Sequence, residues 1–476
     1  MKKKLFVIAL CMILLLSLVA LTACKDDAPD DAPYTYEPSS DYYNLVAVLT
    51  DNGATTRSFS FFTANDESYR DACVVQLDPA GASETEPQFN TSDNFTINAV
   101  SEMADKYNAI QDGKTSAEQL KANANRNMIN LTLNNIFPDR MGHHASATNL
   151  TSGQKYFYRM GCPDKDTWSS WGTFTTDDGD DTFSFLHITD SQADTKERFD
   201  MFAHSLRSAI NHTGTPEFVL FTGDLVEDGN VKEEWDLLFE SIKDFSNTLS
   251  FSAATGNHEK NSYNIAYNFN LPVPSDNFYA YYAYEYGDAL VVVLDTEDDF
   301  LIAEQAAWAD AVLAASNKKW KIVAFHKSLY SSGGHADADD TLRLKKIYTP
   351  ILARNNVDLV MSGHDHVYAR TVPVDGEGNP ATFEGYREET LENGVVKEIY
   401  TKPNGVMYSI NRTIGSKFYG GEGQNANVIS VGDEGRADKP VFSKIDIVGS
   451  TLIYTAYEVD YDTGDVTIID AFEINK

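Results

Sequence analysis

The chain has 476 residues, 42% of them hydrophobic and 12% aromatic. That excludes a disordered chain and exceeds what one ordinary hydrophobic core organises, so two domains are expected. The formal net charge is −33; such a surface repels polyanions, which disfavours nucleic acid as a partner and demands local positive charge wherever an anion binds.

Lys2, Lys3 and Lys4 are followed by an apolar run from Leu5 to Leu21, then Thr22, Ala23 and Cys24. This order reads as an export signal rather than a spanning helix. The stretch Leu21-Thr22-Ala23-Cys24 resembles a bacterial lipobox. The resemblance implies that residues 1–23 are removed and that Cys24 carries lipid, anchoring the chain to a membrane on its extracytoplasmic side; plain secretion is the alternative. Residues 24–41 are acidic and Pro-rich and read as an extended tether. An oxidising envelope permits a bridge between Cys73 and Cys162, and two buried free thiols are the equal alternative.

Residues 42–178 read as short strands: Asn44–Thr50, Ser58–Thr63, Ala72–Leu77, His144–Thr148, Lys155–Met160 and Ser170–Thr175. Gly, Asn, Asp and Pro punctuate them, which predicts an all-β sandwich, with an inserted helix over Thr115–Met128. His143 and His144 read as strand histidines rather than metal ligands. From residue 182 β-rich runs alternate with helical periodicity. Strands are predicted over Thr182–Thr189, Glu217–Thr222, Leu249–Ala254, Ala289–Leu294, Trp320–Phe325 and Val357–Met361. The helices between them are Glu197–Asn211, Val231–Phe245, Glu304–Ala315 and Leu342–Arg354. This is an α/β pattern with buried strands. Residues 376–436 show little periodicity and are expected to rim a pocket. A β-meander ends the chain over Val441–Val448, Thr451–Asp460 and Val466–Glu473.

The residues that follow these strands carry the chemistry. Successive strand ends deliver Asp190, then Gly223-Asp224, Gly256-Asn257-His258-Glu259, His326, and Gly363-His364-Asp365-His366. Carboxyl ends of strands in an open α/β sheet are where sites assemble. A carboxylate can bridge two cations, imidazoles and a terminal carboxylate complete each shell, and mixed N and O ligands suit Zn, Fe or Mn. Two such ions about 3.5–4 Å apart can clamp a phosphoryl group and lower the pKa of a bound water. His187, His204 and His212 read as packing or surface residues.

The motifs GDLVED, GNHE, AFHKS and GHDH stand in an order that resembles the calcineurin-like metallophosphoesterase superfamily, nearest the purple acid phosphatases, over residues 182–476. The stretches NLTSGQKYFYRMG and FTT are similar to the fibronectin type III-like domain that precedes such catalytic domains. The resemblance implies a four-layer α/β/β/α sandwich behind that β domain, two divalent or mixed-valence ions, and hydrolysis of small phosphate esters, with monoesters favoured. It implies Asp224 as the bridging ligand, Asp190 and His366 on the first metal, and Asn257, His326 and His364 on the second. His258 would contact the phosphate and protonate the leaving oxygen, with Glu259 orienting its ring, and His335 would be a further substrate-side histidine. Two positions depart from the pattern. Gln192 stands where the superfamily has His and purple acid phosphatases have Gly; its amide oxygen could bind the first metal or its water. Glu227 stands where purple acid phosphatases have the Tyr that supports Fe(III), so a purple iron centre is disfavoured; Glu227 reads as a solvated loop acid rather than a ligand. A phosphodiesterase or nucleotidase of the same superfamily, or a noncatalytic envelope binding protein, are the rival readings.

Overall fold

The computed structural model describes residues 42–102 apart from 71, 82–83, 88 and 90–94, then 140–259, 262–272, 280–297, and 302–476 apart from 422–424, 426 and 434. The leader, Cys24, the tether and the helix expected over Thr115–Met128 lie outside the described residues. Among the described residues no helix is long and apolar enough to cross a membrane.

Two sheets organise the site. The seven-stranded sheet contains the parallel strands Ala289–Val293, Trp320–Lys327, Leu359–Gly363 and Met407–Ile410. The twelve-stranded sheet has Thr182–Ile188, Phe218–Phe221 and Ser250–Ala253 parallel at its centre. Its sequences are continuous apolar runs such as FVLF, buried at every position, as strands covered on both faces require. Apolar side chains of both sheets, including Phe185, Val219, Val291, Ile322 and Met361, meet in one core.

The helices fit the sequence periodicity. Lys196–Thr213 buries Phe199, Phe202, Ala203, Leu206 and Ala209 along one face and joins that core together with Trp235 and Leu238 of Lys232–Ser246. Helices Ile302–Ala315 and Asp339–Arg354 contribute Ala306, Leu313, Leu344 and Leu352 to a second core with Val292, Val323 and Val360 of the seven-stranded sheet. Strand alternation explains the split, because successive residues of one strand point to opposite faces.

The amino-terminal strands form two sheets, as expected for a sandwich, but one of them is continuous with the twelve-stranded sheet. Tyr43–Val48 pairs in parallel with Ser250–Ala253, through Ala47 with Ser250 and Val48 with Phe251. Arg57–Ala64 and Arg140–Ala147 follow outward. Side chains from this extension, among them Phe59, Phe61 and Ala145, pack on Val75, Leu77, Tyr158 and Phe174 of the facing five-stranded sheet. Cys73 and Cys162 form a disulfide within that smaller sheet. His143 accepts or donates a hydrogen bond at Thr63 Oγ1, 2.8 Å, and stacks on Phe61, so it is a packed strand histidine as read.

Residues 376–436 are more regular than expected. Phe383–Thr390 and Val396–Pro403 form an antiparallel hairpin whose second strand runs parallel to Val466–Asn475 at the sheet edge. The hairpin hides from a hydrophobicity pattern because almost every side chain of FEGYREET is exposed.

Arg140 forms a buried ion pair with Asp236 of the helix Lys232–Ser246, and Asn44 and Lys232 reach the same carboxylate. It locks the sheet extension to the helix beside it. Breaking one side of a buried pair strands a charge. Arg140→Met should lower the urea-unfolding free energy by about 3 kcal/mol, with Arg140→Met/Asp236→Leu recovering most of that loss.

Candidate metal centre

Asp190, Asp224, His364 and His366 lie one to three residues beyond strand ends, His326 lies within Trp320–Lys327, and Gln192 and Asn257 lie four residues beyond theirs. The backbone there is unusual: Asp190, Gln192, Asp224, His364 and His366 all have positive φ, between 36° and 76°. Non-glycine residues in this region are uncommon and gather at functional sites, where surrounding structure enforces the strain. The turns so formed accompany the convergence of these side chains with His326.

The motif glycines have a steric reason. A Cβ on Gly256 would lie 2.2 Å from Asp224 Oδ1, and one on Gly363 would lie 2.3 Å from Asp190 Oδ2. Both distances are impossible for real side chains, so the ligand carboxylates occupy space that only glycine leaves free.

Two donor groups result. Asp224, His326 and His364 place ligand atoms within 4.8 Å of one another, and so do Asp190, Asp224 and His366. Asp224 belongs to both. His326 Nε2 lies 3.1 Å from Asp224 Oδ2, 3.2 Å from Asn257 Oδ1 and 3.2 Å from His364 Nδ1. His366 Nε2 lies 3.3 Å from Asp190 Oδ1. Asp190, Asp224, His326 and His366 are at most 1% exposed.

Hydrogen bonds fix which ring atom is free. His326 donates Nδ1–H to the carbonyl of Thr222, 2.8 Å, and His366 donates Nδ1–H to the carbonyl of Lys417, 2.6 Å. Each ring is thereby turned so that its Nε2 lone pair faces the carboxylates, the outer bond that metal-binding histidines characteristically make. Asp190 accepts from Thr189 Oγ1, 2.7 Å, and from the His364 N–H, 3.0 Å.

Burial works against charge on these groups; it lowers His364 to about 4, with His326 adding to the effect, whereas for His326 and Asp190 mutual attraction wins. The imidazole of His326 is held well above its usual value because Asp224, Asp190 and Glu297 outweigh its burial. Burial likewise opposes the charged form of Asp190, but His366 and His326 hold it below the usual carboxylate range. A buried cluster that draws positive charge this way suits divalent cations, which displace protons from such ligands.

Gln192 is 2% exposed and its Oε1 has no hydrogen-bond partner among the described residues, while Nε2 donates to His258 Nε2. An orphaned buried acceptor beside Asp190 and Asp224 fits the oxygen ligand or water acceptor that the sequence reading assigned to Gln192.

His258 and His335 stand at the exposed margin. His258 donates Nδ1–H to the carbonyl of Glu227, 2.6 Å. That corrects the role expected of Glu259. The Glu259 carboxylate instead accepts the main-chain N–H groups of Asp224, Leu225 and Gly256 at 2.9, 2.7 and 2.6 Å. It braces the two ligand loops against each other. Burial and Asp224 push its carboxyl up to about 8, opposed by the N–H donors at Gly256 and Leu225. His335 is held by Asp365, with Nδ1 2.6 Å from Oδ1, and its ring centroid lies 4.5 Å from that of His364.

Glu227 is not a solvated loop acid: it is ion-paired with Lys417, and its Oε1 lies 3.7 Å from His258 Nδ1. Sequence reasoning missed Lys417, the brace Asp365, and Tyr419, whose ring stacks on His366 at 4.4 Å. Asp365 lies inside the GHDH motif, which could have flagged it; Lys417 and Tyr419 carry no local signal. His187 bonds Thr222 Oγ1 at 2.9 Å and packs within its strand, as read.

Two sheets bring paired carboxylates and imidazoles together near their strand ends, and comparison with known proteins shows what this arrangement is similar to. Residues 183–368 match the calcineurin-like phosphoesterase family and residues 42–176 match the purple acid phosphatase N-terminal domain. The chain is 26% identical over 192 residues to purple acid phosphatase 18 of Arabidopsis thaliana, covering 37% of this chain and 44% of that protein. It is 27% identical over 228 residues to acid phosphatase type 7 of Homo sapiens, covering 42% and 49%. The match thus spans about half the length of these relatives. Among solved structures, a purple acid phosphatase from yellow lupin seeds superposes with a TM-score of 0.69 at 16% identity, covering 92% of this chain and 74% of that one. A structure of PhoD superposes at 0.56 with 12% identity, covering 92% and 94%.

Because Asp224 serves both donor groups, Asp224→Asn should cost both metal ions, whereas His366→Ala or His364→Ala should cost one. Gln192→Ala should weaken one site about tenfold without emptying it. Metal content by mass spectrometry, with calorimetric titration of the apoprotein, checks each.

Proposed function

We propose that this chain hydrolyses phosphate esters, monoesters in preference, at a centre of two divalent ions. Asp190, Gln192 and His366 would hold one ion, Asn257, His326 and His364 the other, and Asp224 both. The observation that carries this reading is the sharing of Asp224 by two buried donor groups, with His258 and His335 beside them at the open margin. When bound, two such ions supply Lewis acidity at the phosphoryl oxygens and generate the nucleophile from water.

The chain's own residues do the rest. His258 keeps Nδ1–H on the carbonyl of Glu227 and turns Nε2 toward Gln192. Once Nε2 takes up a proton in place of the Gln192 N–H, His258 can hand that proton to the leaving oxygen, a contribution of about 10²–10⁴ in rate. His335, fixed by Asp365 and close to His364, is placed to donate to a terminal phosphate oxygen. A monoester has one more non-bridging oxygen than a diester to offer this donor, which supports the stated preference. Glu227 occupies the place of a tyrosine ligand and is engaged with Lys417, so Zn, Mn or unsupported Fe suits the centre better than a purple Fe(III) site.

The relatives bearing acid phosphatase names support the same reading. Two cores on opposite sides of the seven-stranded sheet support reading the catalytic part as a four-layer sandwich, and the two facing sheets of residues 42–176 support a fibronectin type III-like origin. The lipobox-like leader supports reading this activity as held on a lipid anchor at the outer side of the cell envelope.

Hydrolysis of phenyl phosphate should disappear on exhaustive chelation and return with Zn or Mn. Asp224→Asn should lower kcat/KM by at least about 10³, and His258→Ala should lower kcat by about 10² or more. Turnover that survives both chelation and Asp224→Asn would contradict a metal mechanism. A protein that binds the ions but turns over no phosphate ester would be the noncatalytic binder.

A further inference from the structure

We propose that Lys417 and Glu227 form a displaceable ion pair that selects substrates whose leaving group carries its own negative charge. This rests on the phosphoesterase reading above and deepens it.

The pair spans the open margin of the site. The Lys417 carbonyl holds the Nδ1–H of His366, at 2.6 Å, and the Glu227 carbonyl holds the Nδ1–H of His258, also at 2.6 Å. Each main chain therefore supports one site histidine, while the two side chains meet each other. The main chain near Lys417 is anchored: Ile414 N–H donates to Thr189 O at 2.9 Å, Thr413 Oγ1 donates to Asp190 O, and Gly415 N–H donates to Thr413 Oγ1 at 2.7 Å. Lys417 is thus delivered to this place rather than left to wander.

Exposure separates the pair from the ligands. The side chains of Lys417 and Glu227 are 25% and 31% exposed, against 2% or less for Asp190, Asp224, His326 and His366. A half-buried pair that water still reaches is partly screened, so an incoming anion can compete with Glu227 for Lys417. A protein of net charge −33 repels anionic substrates until a local cation takes over. Lys417 is such a cation, and Glu227 links it to the His258 edge of the site, the edge from which the leaving group departs in the proposed reaction. The metal pair answers the charge of the transferred phosphoryl group; Lys417 is left to answer a charge on what it is attached to. Glu227 sets the threshold, since a neutral leaving group gives Lys417 no reason to leave it.

Phenyl phosphate and 3-carboxyphenyl phosphate share a scissile bond and differ by one carboxylate. The metal-loaded protein should favour the carboxylated ester in kcat/KM, mainly through KM. Lys417→Met should reduce that preference at least about fivefold and Lys417→Arg should restore most of it, while Glu227→Gln should increase it. Calorimetric affinities for both esters carry the same ratio independently of turnover. A preference unchanged within twofold in Lys417→Met, or moved the same way by Lys417→Met and Glu227→Gln, would overturn the selective role and make the pair a loop support. Loss of turnover for both esters in the unaltered protein, with the binding preference still dependent on Lys417, would overturn the hydrolase reading and not this one.

Discussion

The structure turns on one constraint: a fully buried carboxylate, Asp224, is shared by two sets of metal-type ligands. Burying Asp190, Asp224, His326 and His366 together takes several ionisable groups out of water, which is unfavourable unless opposite charge accompanies them. The geometry around Asp224 is the protein's answer. Glu259 accepts three main-chain N–H groups and so couples the Asp224 loop to the Gly256 loop. Glycine at 256 and 363 lets the loops approach more closely than any side chain would allow. The left-handed backbone at five site residues is strain that only a well-packed frame can enforce. The frame is the pair of sheets whose parallel strands end at the same place.

That frame extends further than a two-domain chain would suggest. The strand Tyr43–Val48 lies against Ser250–Ala253, the strand that leads into Gly256 and Asn257. Helix Ser262–Phe269, just beyond His258 and Glu259, packs on the sheet extension as well: the Gly142 N–H donates to the Tyr267 hydroxyl at 3.0 Å, and the Tyr267 carbonyl meets His144 Nε2 at 2.7 Å. The amino-terminal segment is therefore built into the support of the Gly256–Glu259 loop from both sides. The Arg140–Asp236 pair closes the same contact through a neighbouring helix.

Much of this was legible in the sequence. Strands with continuous apolar runs and helices with a clear apolar face fall where their periodicity puts them, because burial on both faces or along one stripe leaves a strong pattern. The convergence of the candidate residues was legible because they lie at strand ends or a few residues beyond them, so topology brings them together. The shared sheet was harder to see: Leu45 to Leu49 reads LVAVL, an apolar run without polar alternation, which is the signature of a doubly covered strand, yet it sits among strands that do alternate. The Glu227–Lys417 contact joins residues 190 positions apart and leaves no trace in local pattern. The role of Glu259 was misassigned for a related reason, since a GNHE motif suggests a side-chain partner for the histidine while the carboxylate in fact serves main-chain donors.

Anomalous diffraction from crystals grown with Zn or Mn tests the central claim most directly. The account predicts two peaks about 3.5–4 Å apart on either side of the Asp224 carboxylate, one near Asp190 and His366 and the other near His326 and His364. A single peak bound by one group alone, or peaks away from Asp224, would contradict it.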